Sequence, residues 1–210
     1  LMRVAEWYAE RGIVPTAELC PYTHSSTMEA CARAGFILNP RTEGPDRVSC
    51  AFEHVLAREI SPDVPVQAGV PVRVEGTLEM RVVDPKNADE VRAFADVAVA
   101  RSTPGASPPS GHEFETVRRC LEHPRTRGVA AALNGKFVGV GMVEIAGELC
   151  ALFSAKVLKE HRQKGIQQAM IAARLNLARE NGARAATIGS RPGIPTERNV
   201  RRMGFETVYT

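Results

Sequence analysis

With 210 residues, 44% of them hydrophobic and 24% charged, the chain carries enough apolar side chain for one sizeable core, and its composition excludes a disordered polyelectrolyte. A formal net charge of +3, with no long run of like charge and no aromatic residues interleaved with basic ones, is too mild to argue for nucleic acid and reads as an ordinary solvated surface. The five cysteines are widely spaced with no C-x-x-C pair, which excludes the usual zinc spacing and leaves reduced, buried thiols as the expectation.

The chain opens on Leu1 inside a helical pattern that ends at Gly12. The spacing then predicts a short strand from Ile13 to Leu19, a helix from Ser26 to Ala34 closed by Gly35-Phe36, and a strand from Val48 to Ile60. Pro62, Pro65, Gly69 and Pro71 punctuate the next stretch, which reads as a linker. Beyond it, Thr77 to Val83 alternates as a strand does, and Asn87 to Arg101 has helical spacing with Asn87 as a natural N-cap. A breaker-rich loop, Ser102 to Gly111, precedes a helix from Glu113 to Glu122.

Gly128 to Leu133 and Lys136 to Ile145 flank Asn134-Gly135, the dipeptide that best matches a tight hairpin turn, because both central positions need positive φ. Glu148 to Val157 follows across Ala146-Gly147 as a third antiparallel strand. The helix from Ile166 to Asn181 is apolar on two sides, with Ile166, Met170, Ala173 and Leu177 on one stripe and Ile171, Leu175 and Ala178 on another, so it is expected to pack between other elements. Gly182 ends it, Arg184 to Gly189 is a strand, Thr196 to Met203 a short helix ending in Gly204-Phe205, and the chain closes at Thr210 in a strand pattern. Elements beyond both ends are expected. The order helix, glycine, strand, helix, Gly-Phe occurs twice, and the glycine-to-Gly-Phe spacing is 23 residues in the first copy and 22 in the second. Residues 1–60 are therefore expected to be the back half of a related module.

The stretch with chemical content is Lys159-Glu-His-Arg-Gln-Lys-Gly-Ile-Gln-Gln, between a strand end and the long helix. A helix start leaves backbone N–H groups unpaired and carries positive partial charge. Gly165 allows close backbone approach, and Arg162 and Lys164 add cations, a combination suited to a pyrophosphate. Taken alone, the pattern favours an ordinary helix start with solvated basic residues over a phosphate site. No G-x-x-x-x-G-K-[ST] or G-x-G-x-x-G is present, so neither a P-loop nor a dinucleotide fold is supported.

The order of elements decides between these. Strand, two helices, three-stranded meander, basic glycine loop, long helix, strand, short helix and Gly-Phe resembles the GNAT superfamily of acetyltransferases over residues 77–210. His161-Arg-Gln-Lys-Gly-Ile-Gln is similar to that superfamily's R-x-x-G-x-G/A acyl-CoA loop, and Arg198-Asn-Val-Arg-Arg-Met-Gly-Phe to its N-(x)n-G-F helix. The resemblance is to bacterial members with G-x-Q in the loop, some of which carry a degenerate GNAT-like half ahead of the active one.

The resemblance implies an α/β fold with a central mixed, mostly antiparallel sheet flanked by helices. It also implies a partial GNAT-like half over 1–60, a linker over 61–75 and the acyltransferase domain over 76–210. Acetyl-CoA is the implied co-substrate, with no metal. Its pantetheine arm would bond to the backbone of Ala155 and Val157, and its phosphates would meet Arg162, Gln163, Lys164, Gly165, Ile166, Gln167 and Gln168, with Asn199 a further contact. An amine, on a small molecule or a peptide, would attack the thioester directly while backbone N–H groups stabilise the oxyanion. The expected setting is cytoplasmic, without nucleic-acid or membrane partners, and a homodimer is one assembly this family reading allows.

Two departures bear on activity. Gln167 stands where the wider pattern has Gly or Ala. Val200, four residues before Gly204, stands where many relatives have a Tyr that protonates the departing thiolate, which Val cannot do. Glu144, near the end of the second meander strand, is the candidate general base, against the plain alternative of a solvated hairpin Glu. Ser190 and Tyr209 could supply a proton, against the plain alternative of packing or turn residues, and His161 reads as a phosphate-side or surface histidine rather than a base. The other reading is a catalytically silent acyl-CoA-binding or regulatory protein.

Overall fold

The computed structural model describes residues 2–11, 19, 22–35, 54–101 and 107–209. The strand expected from Ile13 falls outside these residues except for Leu19, as does Phe36. Two short helices, α1 (Met2–Ala9) and α2 (Ser25–Arg33), come first, and Gly35 ends the second with φ +80°.

The rest builds one seven-stranded sheet. In chain order its elements are β1 (His54–Glu59), β2 (Leu78–Val82), α3 (Ala88–Val99), α4 (Gly111–Glu122), β3 (Thr126–Leu133), β4 (Lys136–Ala146), β5 (Leu149–Val157), α5 (Ile166–Glu180), β6 (Ala185–Ser190), α6 (Pro195–Arg202) and β7 (Glu206–Tyr209). Among the described residues the strand order is β2-β3-β4-β5-β6-β1-β7, and only β5–β6 is parallel.

Local signals act as the sequence implies. The Asn87 side chain accepts from the backbone N–H of Asp89 and Glu90 to start α3. Ser110 and Glu113 close a reciprocal capping box at α4. Asn134 and Gly135 take φ of 49° and 80° in the β3–β4 turn.

The sheet is covered on both faces. Helices α3 and α4 bury Phe94, Val97 and Leu121 against Ala130, Val140 and Met142. On the other face Ile171, Leu175 and Ala178 of α5, with Val200, Met203 and Phe205, pack on Leu56, Leu152 and Ile188. Gly128, facing α4, has no room for a Cβ, which would come 2.5 Å from Leu121 Cδ2.

Two segments depart from the expected organisation. Strand β1 lies inside the sheet between β6 and β7, with His54 opposite Ser190 and Glu59 opposite Ala185, so the sheet has no boundary at residue 60. Its nonlocal partners explain why periodicity alone missed this. The stretch read as a linker is a packed strap. Asn176 Nδ2 donates to the Val66 carbonyl at 2.9 Å and Asn176 Oδ1 accepts from the Val66 N–H at 2.8 Å. Val72 and Val74 join the cluster around Ile166 and Met170.

Candidate functional site

Parallel pairing of β5 with β6 runs only from Leu149–Ala185 to Leu152–Ile188. Immediately beyond, β5 bulges: Val140 faces Lys156 and Met142 faces Phe153, so Gly141 alone opposes Ser154 and Ala155, and Ser154 takes φ 49°. The second half of β5 therefore leaves β6, and Ser154 and Ala155 are exposed at the resulting notch.

Past Val157 the chain makes a single turn, Lys159–His161, and then reverses through two left-handed residues, Gln163 (φ 63°) and Gly165 (φ 81°), into α5. No side chain caps α5. Its first backbone bond from outside is Ala169 N–H to the Gly165 carbonyl. Among the described residues, the N–H groups from Gln163 to Gln168 meet no protein acceptor. Six successive amides at a helix start form a concavity for an anion.

Those amides open on a cleft of about 710 Å³ running from Val157 to the first turns of α5 and α6. Among the described residues, its wall carries Arg73, Arg162, Lys164, Arg198, Arg202 and His161, and no carboxylate. Several arginines elsewhere are paired with carboxylates, as in Arg81–Glu90, Arg101–Glu113 and Arg119–Glu115. Among the described residues, the side chains of Arg73, Lys164 and Arg202 engage no protein partner. His161 Nδ1 and Gln168 Oε1, both in this wall, are buried polar atoms without a partner. Unpaired cations, open amides and orphaned polar atoms suit a ligand with several phosphates.

The structure brings Val157, Arg162, Gln163, Lys164, Gly165, Ile166, Gln167, Gln168 and Asn199 together around this cleft. Ala155 lies in the adjoining bulge. Arg73, Arg198 and Arg202 were not singled out from the sequence. Arg198 and Arg202 lie one turn apart on the α6 face that carries Asn199, a pattern visible in R-N-x-x-R, whereas Arg73 had no local signal.

Three predicted contacts take a different form from the one expected. The vacant Cβ side of Gly165 faces the strap rather than the cleft: a Cβ there would lie 2.6 Å from the Pro71 oxygen. The Arg73 N–H also bonds the Lys164 carbonyl at 2.9 Å. Gln167 braces α5 to α6, with Asn199 Nδ2 donating to Gln167 Oε1 at 2.6 Å and Gln167 Nε2 donating to Thr196 Oγ1 at 3.2 Å. The Val157 carbonyl already accepts from Arg162 Nε at 3.0 Å.

Glu144 stands apart from the cleft. It pairs with Ala151 and Thr126 in the ladder and forms an ion pair with Arg125 at 3.2 Å. The Ser190 hydroxyl donates to the Arg191 carbonyl at 3.3 Å, and the Tyr209 ring meets Tyr22 edge-on. Val200 is fully buried in the α5–α6 core. On the sheet side of α6, Glu197 accepts from the Gly193 N–H, His54 Nδ1 at 2.7 Å and Arg201 Nη2 at 2.9 Å. The Gly193 N–H first, then His54 and Arg201, hold its carboxyl down to about 2. This cluster ties the start of α6 to β1.

Among the described residues, no group of His, Cys, Asp and Glu side chains could hold a metal ion, and no helix is long and apolar enough to cross a membrane.

Residues 91–205 match the model of the acetyltransferase (GNAT) family. No curated protein matches the sequence. Among solved structures, the chain is similar to a tandem GNAT protein from the clavulanic acid biosynthesis pathway, with a TM-score of 0.61, 15% identity, and coverage of 98% of this chain and 65% of that one. It is similar to a GCN5-related N-acetyltransferase from Kribbella flavida, with a TM-score of 0.50, 21% identity, and coverage of 75% and 55%. It is also similar to AAC(6')-Iy, solved with the bisubstrate analogue CoA-S-monomethyl-acetylneamine, with a TM-score of 0.54, 18% identity, and coverage of 64% and 95%. At these identities the likeness is one of fold, and the chain spans less than two thirds of the length of the first two.

Proposed function

The chain belongs to the acetyltransferase (GNAT) family, and from that premise we propose that it transfers an acetyl group from acetyl-CoA to an amine of a small molecule or peptide. The observation that carries this reading is the cleft: among the described residues, six open amides and three unpaired cations, with no carboxylate, at the mouth of a splayed strand pair. The diphosphate would sit on the amides from Gln163 to Gln168. Arg73, Lys164, Arg198 and Arg202 would answer the remaining phosphate charge. Pantetheine would run along β5 toward Ala155, displacing Arg162 Nε if it takes the Val157 carbonyl.

In the reaction, the amine nitrogen lone pair attacks the thioester carbon. The C–S bond then breaks, and the amine proton passes through solvent to the departing thiolate. Val200, buried and without a hydroxyl, supplies no proton. A thiolate is a fair leaving group, so turnover survives this loss more slowly. Residues 1–60 are proposed to complete the fold through β1 and to bind no acyl-CoA of their own.

The same Val200 motivates the second reading, a silent acyl-CoA-binding or regulatory protein. Thiol release from acetyl-CoA across a broad amine panel separates the two. Release that depends on an amine supports transfer, and tight acetyl-CoA binding without any release supports the silent protein.

A further inference from the structure

Arg174, on the sheet-facing side of α5, is fully buried and faces no carboxylate among the described residues. Burial pushes its guanidinium down to about 10. Its Nε donates to the Met170 carbonyl at 3.1 Å, and its Nη1 to the carbonyls of Met142 at 3.1 Å and Phe153 at 3.5 Å. Among the described residues, Nη2 is buried without a partner. An unpaired buried cation costs stability, and apolar replacements of buried charges are often neutral or stabilising.

The two carbonyls it holds have a particular place. Met142 and Phe153 are the last regular pair before the β5 bulge, one residue past the end of β5–β6 pairing. A bulge interrupts ladder bonds and leaves backbone groups in need of partners. Gly141, opposite the bulge, makes the room: a Cβ there would lie 2.9 Å from Arg174 Cζ. Bulge, splay and guanidinium meet at one point.

We propose that Arg174 is a positioning residue for acyl transfer, whose guanidinium substitutes for the ladder bonds interrupted at the bulge and so holds Phe153–Val157 away from β6, keeping open the notch that receives pantetheine and the acetyl group. The inference rests on the acyl-CoA reading above. It separates two parts of one site: the loop that grips phosphates, which Arg174 does not touch, and the notch that receives the acyl arm, which it shapes.

The test compares Arg174→Met and Arg174→Lys with wild type, using two probes on the whole chain. Adenosine 3′,5′-bisphosphate lacks pantetheine and engages only the phosphate end; acetyl-CoA engages both ends. The Met variant is expected to bind the bisphosphate within about twofold of wild type, to bind acetyl-CoA at least roughly tenfold more weakly, and to release thiol about 100-fold more slowly, the scale of a misplaced reacting group. Its unfolding midpoint is expected to hold or rise. The Lys variant, which can still donate to the Met142 carbonyl, is expected to recover part of the acetyl-CoA affinity. Affinities for both probes that fall together, or neither falling, would overturn the proposal. If the Met variant does not fold, the Lys variant decides by the same comparison. Wild type binding neither probe would remove the acyl-CoA reading and this inference with it, whereas wild type binding both with unaltered variants removes the inference alone.

Discussion

The Pro71 carbonyl oxygen fills the space beside Gly165 where a side chain would begin, 2.6 Å from an ideal Cβ position. The strap thus passes directly behind the loop that starts α5, and the Lys164 carbonyl is tied to it through the Arg73 N–H. The residues that bear the open amides line the cleft. The glycine serves two masters: a left-handed φ of 81° and a neighbouring backbone that tolerates no Cβ.

Gly165→Ala therefore costs about 1–2 kcal/mol for the left-handed backbone and a further penalty for moving the strap. Gly182→Ala, at φ 93° with no described residue within 4 Å of its Cβ position, bears only the first cost. Denaturant melts of both variants measure the difference. Calorimetry with CoA is expected to show weakened binding for Gly165→Ala and none of that loss for Gly182→Ala.

Lys164 and Arg202 line the cleft without protein partners among the described residues. Replacing either with Ala is expected to weaken CoA binding roughly three- to tenfold at low salt, with the loss shrinking as salt screens the charges. Arg119→Ala, removed from the cleft on α4 and paired with Glu115, is the control that leaves affinity unchanged. Titrations at two ionic strengths check both statements.

Glu197 gives a pH signature. Its carboxyl is held at about 2 in the folded chain against an ordinary 4.5, so the ionised form favours folding. That contribution is complete above about 4.5 and disappears as pH falls toward 2. Glu197→Gln is expected to unfold more readily than wild type at neutral pH, and the gap in denaturation midpoints is expected to close across that window. A gap independent of pH would assign the effect to packing.

Glu144 tests the general-base expectation. Its ion pair with Arg125 is well exposed, with side-chain exposures of 58% for Arg125 and 37% for Glu144, and such pairs contribute about 0–1 kcal/mol. Glu144→Gln is expected to leave thiol release within about threefold of wild type, whereas loss of a true general base costs about 100-fold or more. Steady-state rates decide.

Much of the fold was readable because its signals are local: the Asn87 cap, the Asn134-Gly135 turn and the glycine loop each act within a few residues. The glycine loop that lines the cleft was readable for the same reason, with Arg162 to Gln168 contiguous. What escaped depends on distant partners. Strand β1 finds β6 and β7 more than a hundred residues away in sequence, and the Pro-rich strap reads as a linker because its contacts with Asn176 and Gly165 leave no periodic trace. Arg174 did leave one: it follows Met170 by four residues and Ile171 by three, so it falls on the buried face of α5. A charge inside an apolar stripe is the signal that would have found it.

The most direct measurement is calorimetric titration of the whole chain with acetyl-CoA. The account predicts one site per chain, with affinity that drops steeply as salt rises and is largely lost in a variant lacking Lys164 and Arg202 together. Absence of binding heat, or binding that ignores both salt and those two side chains, would contradict it.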